Sequence, residues 1–238
     1  EQVESPLIRT YDYEALEDIE IRIPLANGGI AQEGERLTPE KIDPKRFVEG
    51  RQWRYSRQHE EYEIPDLING DFFTCRAPFD VCWMEAIMGC NVYFSSRSRW
   101  REQFLDDWED LGNVEPHDRW ITTLLEYIEV LQEASQGNYF VVNPLMRGPI
   151  DVAAAIVGDT KLAMAIYDNP DKLNELLQMC TDVNIEIHQR IWELIPPFHG
   201  GWCTSFGIWA PGTVGYTQID AAELFSVEQF QEHILPHY

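Results

Sequence analysis

Positive charge is scarce in this chain of 238 residues: 18 Lys and Arg stand against 41 Asp and Glu, a net charge of −23. Such a field makes unspecific binding to nucleic acid or to an anionic membrane unfavourable, and an anionic substrate would need a local cluster of Arg or Lys to overcome it. Long apolar runs are missing as well. None approaches the roughly twenty residues of a membrane span, and the opening EQVESPLIRT has neither the basic nor the apolar region of a signal peptide. Paired cysteines are absent: Cys75, Cys82, Cys90, Cys180 and Cys203 are odd in number and lack the close spacing of a zinc ribbon or a secreted disulfide framework. They read as reduced thiols, which makes the cytoplasm the expected compartment. With 44% hydrophobic and 12% aromatic residues, the chain has the means to bury a substantial core.

The most informative stretch is residues 138–158, NYFVVNPLMRGPIDVAAAIVG. Tyr139, Phe140, Val141 and Val142 suit one buried strand, the turn-rich NPLMRGP follows, and an Ala-rich segment reads as helix. In α/β folds such a loop lies at the carboxyl ends of the strands, where ligands bind, so Arg147 beside Gly148 is placed to meet an anionic group. Asp151, in the first turn of the helix, reads as a cap.

Elsewhere the patterns are simpler. Residues 1–70 carry a possible strand in IEIRIPLA, a turn at Asn27-Gly28-Gly29 and an irregular or short helical LTPEKIDPKRF; RQWRYSRQHEEYEIPD reads as a solvated segment or an anion-binding arm. Phe79, Cys82, Trp83, Ala86 and Ile87 fall at helical spacing, closed by Gly89. Amphipathic helices are expected over 98–111, over 117–136 and over 171–194, the last introduced by Asn169-Pro170 and stopped by Pro196-Pro197. A strand over 201–208 then runs into WAPGTVGYTQ and a helix from about Ser226. His199 and Cys203 invite a metal reading, yet two donors without a third or fourth make a weak one. Trp209 and Tyr216 either pack the mouth of the fold or stack on a flat ligand.

From NPLMRGPIDVAAAIVG, through DNPDKLNELLQMCTDVNIEIHQRIWEL, to DAAELFSVEQFQEHILPHY, the sequence resembles the uroporphyrinogen decarboxylase superfamily. The resemblance covers about residues 71–238. It implies an α/β fold, a (β/α)8 TIM-type barrel incomplete at its C-terminal side, with 1–70 as an extension plus first barrel segments and 71–238 as a partial barrel within one structural domain. It also implies site residues. Asp80 stands where the decarboxylase carries the Asp that binds the pyrrole N–H groups of its substrate, although the residue equally suits a helix N-cap. Arg76 is a possible partner or anion clamp. Asp220 stands at the carboxyl end of a barrel strand, where the decarboxylase has a Ser and many methyltransferase-like relatives have Asp.

Departures from the decarboxylase matter. Its N-terminal arginine motif has no clear counterpart in IRIPLANGGI, and Ala155 replaces its Tyr. Eight substrate carboxylates are poorly held without such clamps. The resemblance therefore favours the other branch: methyl transfer between a corrinoid protein and a small methylated or thiol substrate, with Asp80, Arg147 and Asp220 lining the pocket. The zinc that this branch uses is bound by a His-x-Cys and a later Cys downstream of the Leu-Pro match, so no cofactor is expected within this chain. Uroporphyrinogen decarboxylation in porphyrin biosynthesis is the alternative. A third expectation is a non-catalytic open barrel, whose two unpaired edges would call for a homodimer or another partner.

Overall fold

A computed structural model of the chain describes residues 23–49, 74–77, 82–95, 100–137, 139–204 and 208–238. Asp80 and the aromatic, charged segment 51–66 lie outside the described residues. Near the start, Pro24 and Leu25 form isolated bridges to Ile30 and Ile42 around a turn in which Gly28 takes φ 93°. Strand β1 (Arg36–Leu37) begins a three-stranded antiparallel sheet with β3 (Asn91–Tyr93) and β4 (Trp100–Glu102), in the order β1-β3-β4.

Helix α1 (Trp83–Ile87) buries all five of its residues and hands over to Gly89 at φ 95°, the conformation that a residue without Cβ adopts at no steric cost. Trp83 packs edge-on against Trp120 and Tyr127, with ring centroids 6.1 and 5.6 Å apart, and Tyr127 packs on Phe47 in the same way. Trp120 and Tyr127 belong to α2 (Asp118–Ser135), whose buried face, Trp120, Leu124, Ile128 and Leu131, has the period the sequence shows.

Among the described residues of the segment 98–111 no α-helix forms. The segment supplies β4 and a 3-10 turn at Trp108–Asn113. Pairing with β3 wins over the helical period because Glu102, opposite Asn91, accepts hydrogen bonds from Asn91 and from the Tyr93 hydroxyl, and Asp107 caps the turn by accepting from the Glu109 N–H.

The parallel pairing sits in two places: β2 (Thr74–Cys75) runs beside β5 (Phe140–Val141), and β6 (Met146–Arg147) beside β9 (Thr217–Gln218). Helix α3 (Pro149–Val157) follows β6, with Pro in its first turn, and all nine of its residues are buried. A helix apolar on every side belongs in a core, and α3 packs against α4 (Asp159–Asp168) and the long α5 (Pro170–Leu194). One hydrophobic core draws on residues from Ile23 to Ile234. The single strand expected over 201–208 is half of a hairpin, β7 (Trp202–Cys203) against β8 (Trp209–Ala210). At the C-terminal side, Ser226 and Gln229 form the reciprocal cap that starts the last helical segment, which continues as a π-turn over Phe230–Ile234. These are mixed α/β elements: strands of two or three residues, with no closed eight-stranded sheet among the described residues.

Candidate functional site

Parallel pairing of β6 with β9 brings two carboxyl ends together. Arg147 lies opposite Gln218, and Asp220 follows two residues later. The Arg147 Nη1 donates to Glu85 Oε1 at 3.1 Å, and Nη2 donates to Asp220 Oδ2 at 3.3 Å. Its Nε lies 3.7 Å from Asp151 Oδ2. Arg101 approaches the same Glu85 oxygen at 3.9 Å. One guanidinium thus faces three carboxylates. Glu85 and Asp151 are fully buried, whereas the Asp220 side chain is 57% exposed and forms the outer rim.

The backbone fixes this arrangement. Asp151 Oδ1 accepts from the Ala221 N–H at 2.7 Å, which ties the segment after β9 to α3. The Gln218 amide donates to Asp220, the Gly148 N–H donates to the Gln218 carbonyl at 2.8 Å, and the Asn184 amide donates to the Arg147 carbonyl at 3.2 Å. Gly148 is required by space: a Cβ there would lie 2.8 Å from the Gln218 carbonyl oxygen and would overlap the Tyr238 side chain. The Tyr238 hydroxyl accepts from the Ile150 N–H at 3.3 Å, at the open end of α3.

Burial pulls the Arg147 pKa down, but the charge and hydrogen bond of Glu85, with Asp151 behind them, more than offset it, so the net shift is upward. Burial also pushes Asp151 above the usual carboxylate range, against the opposing effects of the Ala221 N–H and Arg147. In this site two carboxyl groups and an arginine are held out of water, and only Asp220 meets solvent freely.

Of the residues singled out from the sequence, Arg147, Gly148 and Asp220 come together here. Arg76 lies one residue past β2 and is half-buried. Trp209, on β8, is 40% exposed and anchors the hairpin by donating from Nε1 to the Phe198 carbonyl at 2.9 Å. Tyr216 is half-buried in the loop before β9. His199 takes φ 48° at a tight turn, its ring 4.3 Å from that of Phe198, while Cys203 is buried in β7. Burial raises the Cys203 thiol pKa. No group of three or more His, Cys, Asp or Glu able to hold a metal occurs among the described residues. Glu85, Arg101, Asp151 and Gln218 carry the cluster without having been picked out as site residues. The readable signal was an acid inside an otherwise apolar run, in WMEAI and again in PIDVAAAIV.

The family model for uroporphyrinogen decarboxylase (URO-D) matches residues 72–194, more than half of the chain. The chain belongs to the URO-D family. That membership accounts for the α/β elements as parts of a TIM-barrel architecture, with Arg147 and Asp220 at strand ends. Among solved structures, a methyltransferase from Methanosarcina mazei is similar over 69% of this chain, with a TM-score of 0.50 and 18% identity. At that identity the likeness speaks for the fold. The chain spans 46% of that structure's length. No curated protein matches this URO-D family member. No helix among its described residues is long and apolar enough to cross a membrane.

Proposed function

We propose that this URO-D family chain contributes the pocket for methyl transfer between a corrinoid protein and a small methylated or thiol substrate. The observation that carries the reading is the state of Arg147. Its charge is taken up by Glu85, Asp151 and Asp220, which leaves the mouth between β6 and β9 acidic. A polycarboxylate such as uroporphyrinogen needs unneutralised Arg or Lys groups pointing at it. A small neutral or cationic substrate does not. The similar chain from Methanosarcina mazei is a methyltransferase, so the fold is compatible with such chemistry.

In this reading Asp220, the exposed carboxylate, binds a hydroxyl or positive group of the substrate, and Arg147 orients Asp220. The methyl group would be carried by the corrinoid protein, whose cobalt chemistry is its own. Glu85 and Asp151 keep Arg147 in place and exclude water from its inner side. The test mixes the full-length protein with methylated corrinoid protein and follows the cobalt absorption spectrum. A change that depends on an added thiol or methoxy compound is expected, and a spectrum unmoved by every such compound refutes the reading.

A further inference from the structure

Away from the Arg147 cluster, a second hollow opens where three parts of the chain meet: β1 with the 3-10 turn Pro39–Lys41, the end of α1 with Gly89 and Cys90, and the first turn of α2. Its lining falls wholly within the described residues. The volume is about 130 Å³. A cavity of about 150 Å³ takes benzene, so a guest of about six non-hydrogen atoms is the upper limit. Leu37, Ala86 and Trp120 form a buried floor, and Arg36, Asn91 and His117 stand at the rim. Glu85 and Ala86 are neighbours on α1: the first turns to Arg147, the second to this separate space.

Side chains that could fill the space are engaged elsewhere. Lys41 Nζ donates to Glu35 Oε1 and to the Arg36 carbonyl, each at 2.8 Å. Asn91 Nδ2 donates to Glu102 Oε2 at 3.2 Å, which leaves the Asn91 amide oxygen as an acceptor. Two groups are not engaged: among the described residues, no hydrogen bond or ion pair takes up the guanidinium of Arg36 or the imidazole of His117. Hydrogen bonds from Asn91 and Tyr93, and then the charge of Arg36, hold the Glu102 carboxyl below the usual range. Glu40, the acid at the rim, is held low by its own N–H and the Thr38 hydroxyl, with Arg119 and His117 behind them. In a chain with 41 acidic residues against 18 basic ones, a guanidinium beside a cavity that no described carboxylate pairs is the observation that points to a ligand.

We propose that this hollow binds a small 2-hydroxy monocarboxylate, with its carboxylate on the Arg36 guanidinium, its hydroxyl between His117 and the Asn91 oxygen, and its carbon atoms on the floor of Ala86 and Trp120. The planar fork of a guanidinium matches a carboxylate through two parallel N–H bonds. A hydroxyl both donates and accepts, so one group serves an amide oxygen and an imidazole N–H together. A single negative charge suits a rim with one unpaired arginine and with Glu40 nearby. Sulfate brings a second charge and no carbon, acetate has no hydroxyl, and ethylene glycol has no charge. Each lacks part of what the rim and floor offer. The site uses neither Arg147 nor Asp220, so it goes beyond the methyl-transfer reading and does not depend on it.

The experiment titrates the full-length protein with sodium glycolate at constant ionic strength, with binding read by calorimetry and by ligand NMR. Acetate, sulfate and ethylene glycol are run in parallel. Saturable glycolate binding is expected, with a Kd of about 1 mM or below, and at least about fivefold tighter than any of the three, the factor that one hydrogen bond is worth. Arg36→Gln, at an exposed position on the edge strand β1, is expected to weaken it about tenfold while leaving the folded spectrum unchanged. His117→Gln, where the side chain makes no cap bond to α2, should weaken it about threefold or more. Asp220→Asn should leave it unchanged. Failure of glycolate to saturate, acetate or sulfate binding as tightly, full binding by Arg36→Gln, or a loss with Asp220→Asn equal to that with Arg36→Gln overturns the proposal. The cobalt assay is scored separately: a spectrum that never moves removes the methyl-transfer reading alone, and glycolate that never saturates removes this proposal alone.

Discussion

Arg147 is worth more to the fold than any surface arginine, because its removal strands Glu85 and Asp151 as buried charges. Arg147→Ala is expected to cost about 3–5 kcal/mol in denaturant unfolding, the range for breaking a buried ion pair from one side. Asp220→Asn, at the exposed end of the same cluster, should cost no more than about 1 kcal/mol. Equal losses for the two would contradict the division into inner and outer carboxylates. Asp151 makes a further prediction through pH. Burial raises its folded pKa above the unfolded value, so its stabilising contribution is fully present below the ordinary Asp range, near about 3.9, and is lost as pH rises through the folded value. Asp151→Asn keeps an oxygen for the Ala221 N–H and removes the titration. The variant should therefore be at least as stable as the parent at pH 7, and its advantage should shrink on acidification; thermal melts across pH 3–8 read the difference. The five thiols are buried, and burial pushes Cys75 and Cys90 up to about 12. A thiol reagent at pH 8 should label few of them in the native protein and all five after unfolding. Arg147 and Gly148 were legible because turn residues mark a strand's end, whereas Asp220 was singled out by the resemblance to the family. Glu85 was not, since a single acid within apolar residues says that it has a partner without saying which.

At the scale of elements, what could be read was whatever depends on local period. Helix α2 follows from apolar residues three and four apart, α5 from the Asn169-Pro170 and Pro196-Pro197 that bound it, and the last helical start was expected near Ser226. The segment 98–111 has a helical period too, yet Asn91 and Tyr93 bind Glu102 and draw it into a strand. Such pairings join residues nine and eleven apart across a turn, and the apolar period of one segment carries no sign of them. The hairpin of β7 and β8 was hidden for the same reason. The junction of β6 with α3 carries its own prediction. Gly148→Ala would press a methyl against the Gln218 carbonyl and the Tyr238 ring, opening the β6–β9 pair. A loss of about 1–3 kcal/mol is expected from overpacking, measured by urea unfolding, whereas Gly112→Ala, where a Cβ meets nothing, should be nearly silent.

Over the whole molecule, membership of the URO-D family implies a barrel architecture, and the proposed chemistry rests on one cluster at the strand ends. A chain of net charge −23 whose best-placed arginine is already paired three times offers little to a polyanion. The most direct measurement of that claim is fluorescence anisotropy of uroporphyrin, an octacarboxylate, titrated with the full-length protein at about 0.15 M ionic strength, where surface charges are largely screened. The account predicts no saturable binding, and no change with Arg147→Lys. Saturable, tight binding that Arg147→Lys abolishes would show that Arg147 serves the substrate's carboxylates after all, and the decarboxylase reading would replace methyl transfer.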